Sequence, residues 1–293
     1  HNYAMDNTVK YFHLGGFIMK KWFLFLILTA SISLVILSST DSNAEYICGD
    51  ANSDGALDVS DAVFIINFAF GGGPAPDPGC CDTDCPPTVT DYDGNVYQTV
   101  LIGDQCWMME NLKVTHYRNG DPIPNVTDDT EWENLTTGAY CDYDNDPANV
   151  ATYGRLYNWY AVDDSRNIAP EGWHVPTDAE LKQLEMYLGM SQSEADGTGY
   201  RGTDEGGKLK EAGTTHWQSP NNGATNESGF SALPGGARYG GTFMYVGGHA
   251  FFWSSTEDGS DTALGRNLNH LSKKVGRSHW NKLLGFSVRC VRD

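Results

Sequence analysis

Apolar residues are spread along this chain in four different ways, and each predicts a different kind of element. From Trp22 to Leu37 they form a nearly unbroken run behind Met19-Lys20-Lys21. Between 62 and 69, Ala62, Val63, Ile65, Ile66, Phe68 and Ala69 recur as in a helix. Past 88 they fall into short runs bounded by turn residues, the mark of strands. Thr90 to Tyr97 reads as a hairpin turning at Asp93-Gly94, and strand signals continue through Val100, Leu101 and Ile102. Further strands are expected at 251–254 and 286–291. The clearest helix opens at Thr177-Asp178-Ala179-Glu180, a capping box in which hydroxyl and carboxylate exchange bonds with orphan amides. Leu181, Leu184 and Leu188 follow on one face, and Gly189 ends the helix. Glu180 thus has a structural task, and His174 just before it is expected to be packed and hydrogen-bonded rather than catalytic. With 33 glycines marking many turns, the class is α+β and loop-rich.

The run from Trp22 to Leu37, with its charged start and the small residues Ser42-Asn43-Ala44, has the form of an export signal. Cleavage after Ala44 is expected, with residues 1–18 an over-called start and 19–44 the signal peptide. The alternative is an uncleaved anchor, since a span needs about 20 apolar residues. The expected location is secreted or cell-surface, with no membrane insertion once the signal is cleaved. The chain carries a formal net charge of −19, and loss of residues 1–44 makes it one unit more negative. Such a surface repels nucleic acid and anionic lipid, which excludes both as partners.

Just after the signal, Asp50, Asn52, Asp54, Asp58 and Asp61 occupy loop positions 1, 3, 5, 9 and 12, with Gly55 at position 6. That is the ligand spacing of an EF-hand calcium loop, in which position 7, here Ala56, contributes its carbonyl. Ca²⁺ takes six to eight oxygens at about 2.3–2.6 Å, and four carboxylates so close together repel one another without a cation. Position 12 is an aspartate rather than the longer glutamate of calcium sensors. A second acidic cluster, Asp142, Asp144, Asn145 and Asp146, reads as a solvated turn, with a further calcium site as the alternative.

Seven cysteines in an exported chain imply disulfides with one left over. Cys48, Cys80, Cys81 and Cys85 flank the acidic loop and its helix. Among Cys106, Cys141 and Cys290 the expected pair is Cys141–Cys290, leaving Cys106 buried or free. A Cys₄ zinc site is the alternative for the first group, although no Cys-x-x-Cys occurs there. The stretch 74–87, rich in Pro, Gly and Cys, separates a small module at 45–73 from a larger domain at 88–293.

The small module resembles a dockerin repeat, a calcium module that binds a cohesin domain. Only one repeat is present, and Val59, Ser60, Ile66 and Asn67 occupy the recognition positions of that family. The larger domain resembles the Fibrobacter succinogenes major paralogous domain. The likeness rests on Ile102-Gly103-Asp104-Gln105-Cys106-Trp107-Met108-Met109-Glu110-Asn111-Leu112, Tyr153-Gly154-Arg155-Leu156-Tyr157-Asn158-Trp159-Tyr160 and Gly172-Trp173-His174-Val175-Pro176-Thr177. It continues in Phe252-Trp253-Ser254-Ser255-Thr256 and Gly285-Phe286-Ser287-Val288-Arg289-Cys290-Val291. The resemblance implies a C-type-lectin-like fold, related to formylglycine-generating enzymes, with a twisted antiparallel sheet, long loops and chain ends brought together.

Three functions follow as expectations. The first is an exported, calcium-stabilised, non-catalytic binding protein whose ligand is a carbohydrate or an extracellular protein. Trp107, Trp132, Trp159, Trp217, Trp253 and Trp280 are candidates for stacking on sugar rings, against the ordinary role of core residues. By the lectin likeness, Asn267, Asn269, His270, Lys273, Arg277, His279 and Trp280 are the candidate ligand-binding residues, against the plainer reading of two exposed strands and their loop. The second is a scaffold component docking through the dockerin-like module to a cohesin-like partner in a polysaccharide-degrading assembly. The third is an enzyme using Cys141 and Cys290 as a redox pair; no Gly-x-Ser-x-Gly, His-Glu-x-x-His or phosphate loop supports catalysis, and the chain is read as no enzyme.

Overall fold

Asp91 organises the first turn. Its carboxylate accepts hydrogen bonds from the backbone amides of Asp93 and Asn95 at 3.0 and 2.9 Å and from the Tyr97 hydroxyl at 2.6 Å. Gly94 supplies the positive φ of +82° that the reversal needs. The expected hairpin forms there, between β1 (Thr88–Thr90) and β2 (Val96–Ile102). In the computed structural model, residues 85–293 are described. The signal segment, the acidic loop, Cys48, Cys80 and Cys81 lie outside the described residues.

The chain continues through β3 (Gln105–Met108), β4 (Tyr140–Cys141), β5 (Leu156–Tyr157), β6 (Trp173–His174) and β7 (Gly199–Arg201). It ends with β8 (Gly235–Tyr239), β9 (Thr242–Val246), β10 (His249–Glu257), β11 (Thr262–Asn269), β12 (Val275–Asn281) and β13 (Val291–Arg292). One sheet has the order β1-β2-β3-β13-β6, so the last strand lies beside β3 and shares a sheet with the first hairpin. A second has the order β7-β12-β11-β10-β8-β9, and β4 pairs with β5. Nearly all pairings are antiparallel; β10 with β8 is the parallel one among these strands. The fold is therefore mixed α/β with sheet predominating.

The strand expected at 286–291 is mostly not one. Only Val291 and Arg292 pair in a ladder, while Phe286 bridges to Tyr157 and Ser287 to Phe252. The segment threads between β5 and β10, which buries both of its faces: Phe286, Val288 and Cys290 pack in the core and Arg289 is buried among them. The Arg289 guanidinium bonds to the carbonyl oxygens of Met108 and Phe230 at 3.1 and 2.5 Å and stacks on the Phe230 ring. Burial lowers its pKa to about 9.

The expected helix runs Asp178–Tyr187, with both halves of the Thr177/Glu180 capping box made. Leu181, Leu184 and Leu188 are buried, and Gly189 follows with φ +120°. Its inner face carries two carboxylates seven residues apart, two turns along the helix. Arg277 grips Asp178 with Nε and Nη2, each at 2.8 Å, and Arg266 adds Nη1 at 2.8 Å. Glu185, 1 % exposed, accepts from Arg266 at 2.6 Å and from Arg201 at 2.5 Å. These arginines stand on β12, β11 and β7, and Arg266 is the direct cross-strand partner of Arg277. Arg277, expected to meet a ligand, is thus turned to the helix side of the sheet and held there.

The expected Cys141–Cys290 disulfide is not made. Both remain buried thiols, Cys141 in a cluster with Trp132 and Leu156, Cys290 in the central core. Burial pushes the Cys141 thiol up to about 12 and that of Cys290 higher still. Instead Cys85 bonds to Cys106, with their Cα atoms 5.2 Å apart. The β1-β2-β3 meander folds the segment before β1 back beside β3, which a grouping of cysteines by sequence position misses.

His174 is hydrogen-bonded as expected, with Nε2 2.8 Å from Glu180 and Nδ1 2.6 Å from Asp293. Glu180 and Asp293 raise its pKa against the opposing effect of burial. Burial pushes the Glu180 carboxyl up, but the bonds from His174 and Thr177 outweigh it and hold the group at about 2.

Two outcomes are expected. Glu185→Ala leaves Arg201 buried without its carboxylate and Arg266 with Asp178 alone, and should cost about 3–5 kcal/mol in denaturant unfolding, against less than about 1 kcal/mol for an exposed pair. The His174 cluster stabilises most between pH 4.5 and 6.5: Glu180's share is present above 4.5 and is lost as pH falls toward 2, and that of His174 is complete below 6.5 and is lost as pH rises through its raised pKa. Melting temperature against pH should therefore fall on both sides of that window, and His174→Gln should remove the alkaline arm.

Candidate functional site

Strand alternation sends every second residue of the six-stranded sheet away from the helix. On β12, Arg277 faces the helix while Ser278 faces the other way; on β11 the same contrast separates Arg266 from Asn267. The far face is a cleft of about 280 Å³ to which all six strands contribute. Tyr200 comes from β7, Ser278 and Trp280 from β12, Asn267 from β11, His249 and Phe251 from β10, Tyr239 from β8 and Tyr245 from β9.

The aromatic rings are locked against one another. Trp280 meets Tyr239 and Phe251 edge-on, with centroids 6.2 and 5.7 Å apart. His249 stacks on Phe251 at 5.5 Å and packs against Tyr245 at 4.9 Å. Such pairs add about 0.5–1.5 kcal/mol beyond area burial and hold the ring orientations. Two glycines make the arrangement fit. A Cβ on Gly265 would come 3.0 Å from the Trp280 ring, and one on Gly276 would sit 1.9 Å from Asn267 Oδ1. Tyr245 adopts φ +71°, an unfavourable value for a ring-bearing residue. It stays 45 % exposed, and Tyr200 is 46 % exposed.

The Tyr200 hydroxyl accepts hydrogen bonds from the amide nitrogens of Asn267 and Asn269, each at 2.6 Å. Behind Asn269, the buried Lys210 ammonium donates to the carbonyls of Asn222, Asn269 and Ser272 at 3.0, 3.0 and 2.9 Å, beneath the Trp217 ring. Burial lowers the Lys210 pKa to about 8. None of the residues lining the cleft is Lys, Arg, Asp or Glu. Burial, with His270 nearby, lowers the pKa of His249, and burial raises that of Tyr239, so both rings are neutral at pH 7.

Of the seven residues expected to meet a ligand, Asn267 and Trp280 line the cleft and Asn269 reaches it through Tyr200. His270 lies at the hairpin beyond β11 with Nδ1 3.2 Å from the Ser219 carbonyl, and Lys273 is exposed on the same turn. Arg277 is on the opposite face, and His279 pairs with Asp258. The stretch does form two strands and their loop, at 262–269 and 275–281, but β11 is largely buried rather than exposed. Trp107, Trp132, Trp159, Trp217 and Trp253 are core residues. Tyr200, Tyr239, Tyr245, His249 and Phe251 were not singled out by sequence; the alternation of His249 and Phe251 across Ala250 is the local signal that they share a face.

The acidic turn is structural. Asp142 pairs with Arg155, Asp146 caps the amide of Ala148 at 2.9 Å, and the Asn145 amide donates to the Thr127 carbonyl at 3.1 Å. Among the described residues no group of three or more His, Cys, Asp or Glu could hold a metal ion, and no helix is long and apolar enough to cross a membrane. Asp50, Asn52, Asp54, Ala56, Asp58 and Asp61 lie outside the described residues.

No curated protein and no solved structure matches this chain. A family model does, over residues 100–292, a span holding all six strands of the cleft and the helix that braces them. With well over half of its length so matched, the chain belongs to the Fibrobacter succinogenes major domain family.

Proposed function

We propose that this is an exported, non-catalytic binding protein, stabilised by Ca²⁺ in its N-terminal module, that takes a carbohydrate in the aromatic cleft. The observation that carries this reading is the cleft itself. The faces of Tyr245 and Trp280 suit the C–H face of a sugar ring, and amide and hydroxyl groups stand at the edge to bond its hydroxyls. A non-catalytic role is supported by the two free thiols, which are buried with raised pKa values and are poor nucleophiles. We read the fold as C-type-lectin-like; the last strand lying in the sheet of the first hairpin, together with long loops, supports this.

Calcium rests on the donor set at Asp50, Asn52, Asp54, Asp58 and Asp61, hard oxygens at EF-hand spacing. Extracellular sites of this kind bind at about 10⁻⁴–10⁻³ M, which suffices for a structural ion outside the cell. The sequence Met19–Ala44 supports export.

Two measurements test the reading. On an array of oligosaccharides the chain should bind, and Tyr245→Ala should weaken that binding roughly tenfold with the fold kept; an array without signal, beside capture of an extracellular protein through the same cleft, would favour the protein ligand. Calcium should raise the melting temperature of the wild type, and Asp54→Ala should abolish the rise. A wild-type curve that is the same with and without chelator would remove the metal from the account.

A further inference from the structure

Tyr200 is placed so that its hydroxyl proton has one direction left. Asn269 is fixed by its other end: its Oδ1 accepts the Leu271 amide at 2.9 Å, so only its nitrogen can face the phenol. Asn267 turns its nitrogen to the same oxygen, while its Oδ1 lies over Gly276, where any side chain would strike it. Two amide donors therefore occupy the acceptor positions of the Tyr200 oxygen. Among the described residues no acceptor takes the remaining O–H. The hydroxyl of this half-exposed tyrosine at the edge of an aromatic cleft, already accepting twice, has its proton free for a ligand oxygen. Cooperative polarisation by the two incoming bonds strengthens such a donation.

The charge of the site narrows the ligand further. Nothing lining the cleft offers a cation to a carboxylate or sulfate, and residues 85–293, which form it, carry 28 Asp and Glu against 16 Lys and Arg. An anion entering there loses hydration without gaining a counter-charge, against a repulsive field. We infer that the cleft selects an uncharged sugar ring over acidic sugars, and that Tyr200 is the residue that recognises it, by donating its hydroxyl proton to a ring or hydroxyl oxygen. This inference rests on the carbohydrate reading of the cleft given above. The volume of about 280 Å³ is at the small end of the roughly 300–1,000 Å³ of ligand pockets, so one ring of a longer glycan sits within it and its neighbours lie outside.

The test titrates the full-length chain by calorimetry with neutral hexose oligomers and with uronic-acid oligomers of the same length. The neutral oligomers should bind at least tenfold more tightly. Tyr200→Phe, which keeps the ring and removes the hydroxyl, both the donor to the ligand and the acceptor of the two amides, should weaken neutral binding roughly five- to tenfold with the fold kept and a lowered melting temperature. Equal or tighter binding of the uronic-acid oligomers, or wild-type affinity in Tyr200→Phe, overturns the inference. Tyr245→Ala separates the two levels. If it weakens binding while Tyr200→Phe binds as wild type, the cleft remains the site and the role of Tyr200 falls. If Tyr245→Ala binds as wild type, or no oligomer binds the wild type, the site reading falls and the inference with it.

Discussion

Two carboxylates on one helix face hold three arginines from three neighbouring strands, and the architecture of the sheet follows from that grip. Asp178 and Glu185 join β7, β11 and β12 from one side, so these strands present a fixed far surface. Desolvating five charges is costly, and the bidentate contact of Arg277 with Asp178 and the shared Glu185 offset it through short, charge-assisted bonds. An apolar contact of similar area would let the helix slide. Directional pairs do not, and the register of Arg266 opposite Arg277 places Asn267 and Ser278 on the outer face. The cleft is the reverse side of the ion network.

What could be read from the sequence was what is local in it. The helix at 178–187 announces itself through a capping box and three leucines within twelve residues, and the first hairpin through Asp93-Gly94. The cleft has no such signature, because its lining comes from strands scattered between residues 199 and 280 and becomes a surface only once the order β7-β12-β11-β10-β8-β9 is formed. Asn267 and Trp280 were found because they fall in one polar and aromatic stretch; Tyr200 and Tyr245 are separated from it by chain and united with it by topology. The cysteines fail for the same reason. Nothing in a list of positions says that Cys85 folds back onto β3, or that Cys141 and Cys290 belong to different apolar clusters.

The residues around 265–284 show how one short segment serves two purposes through alternation alone. Arg266 and Arg277 turn inward to the helix; Gly265, Asn267, Gly276, Ser278 and Trp280 turn outward. The glycines are as informative as the polar residues, since each leaves room that a neighbouring side chain occupies: Gly265 for the Trp280 indole, Gly276 for the Asn267 amide. A polar stretch read as a ligand face is in fact half frame and half face.

Lys210 carries a consequence of its own. Its ammonium sits among three backbone oxygens, including that of Asn269, much as a metal ion would sit among carbonyl ligands. The loops behind the cleft are therefore knitted together by a cation that is covalently part of the chain and cannot be lost by dilution. A chelator has no hold on it, so these loops keep their tie whatever the concentration of divalent ions.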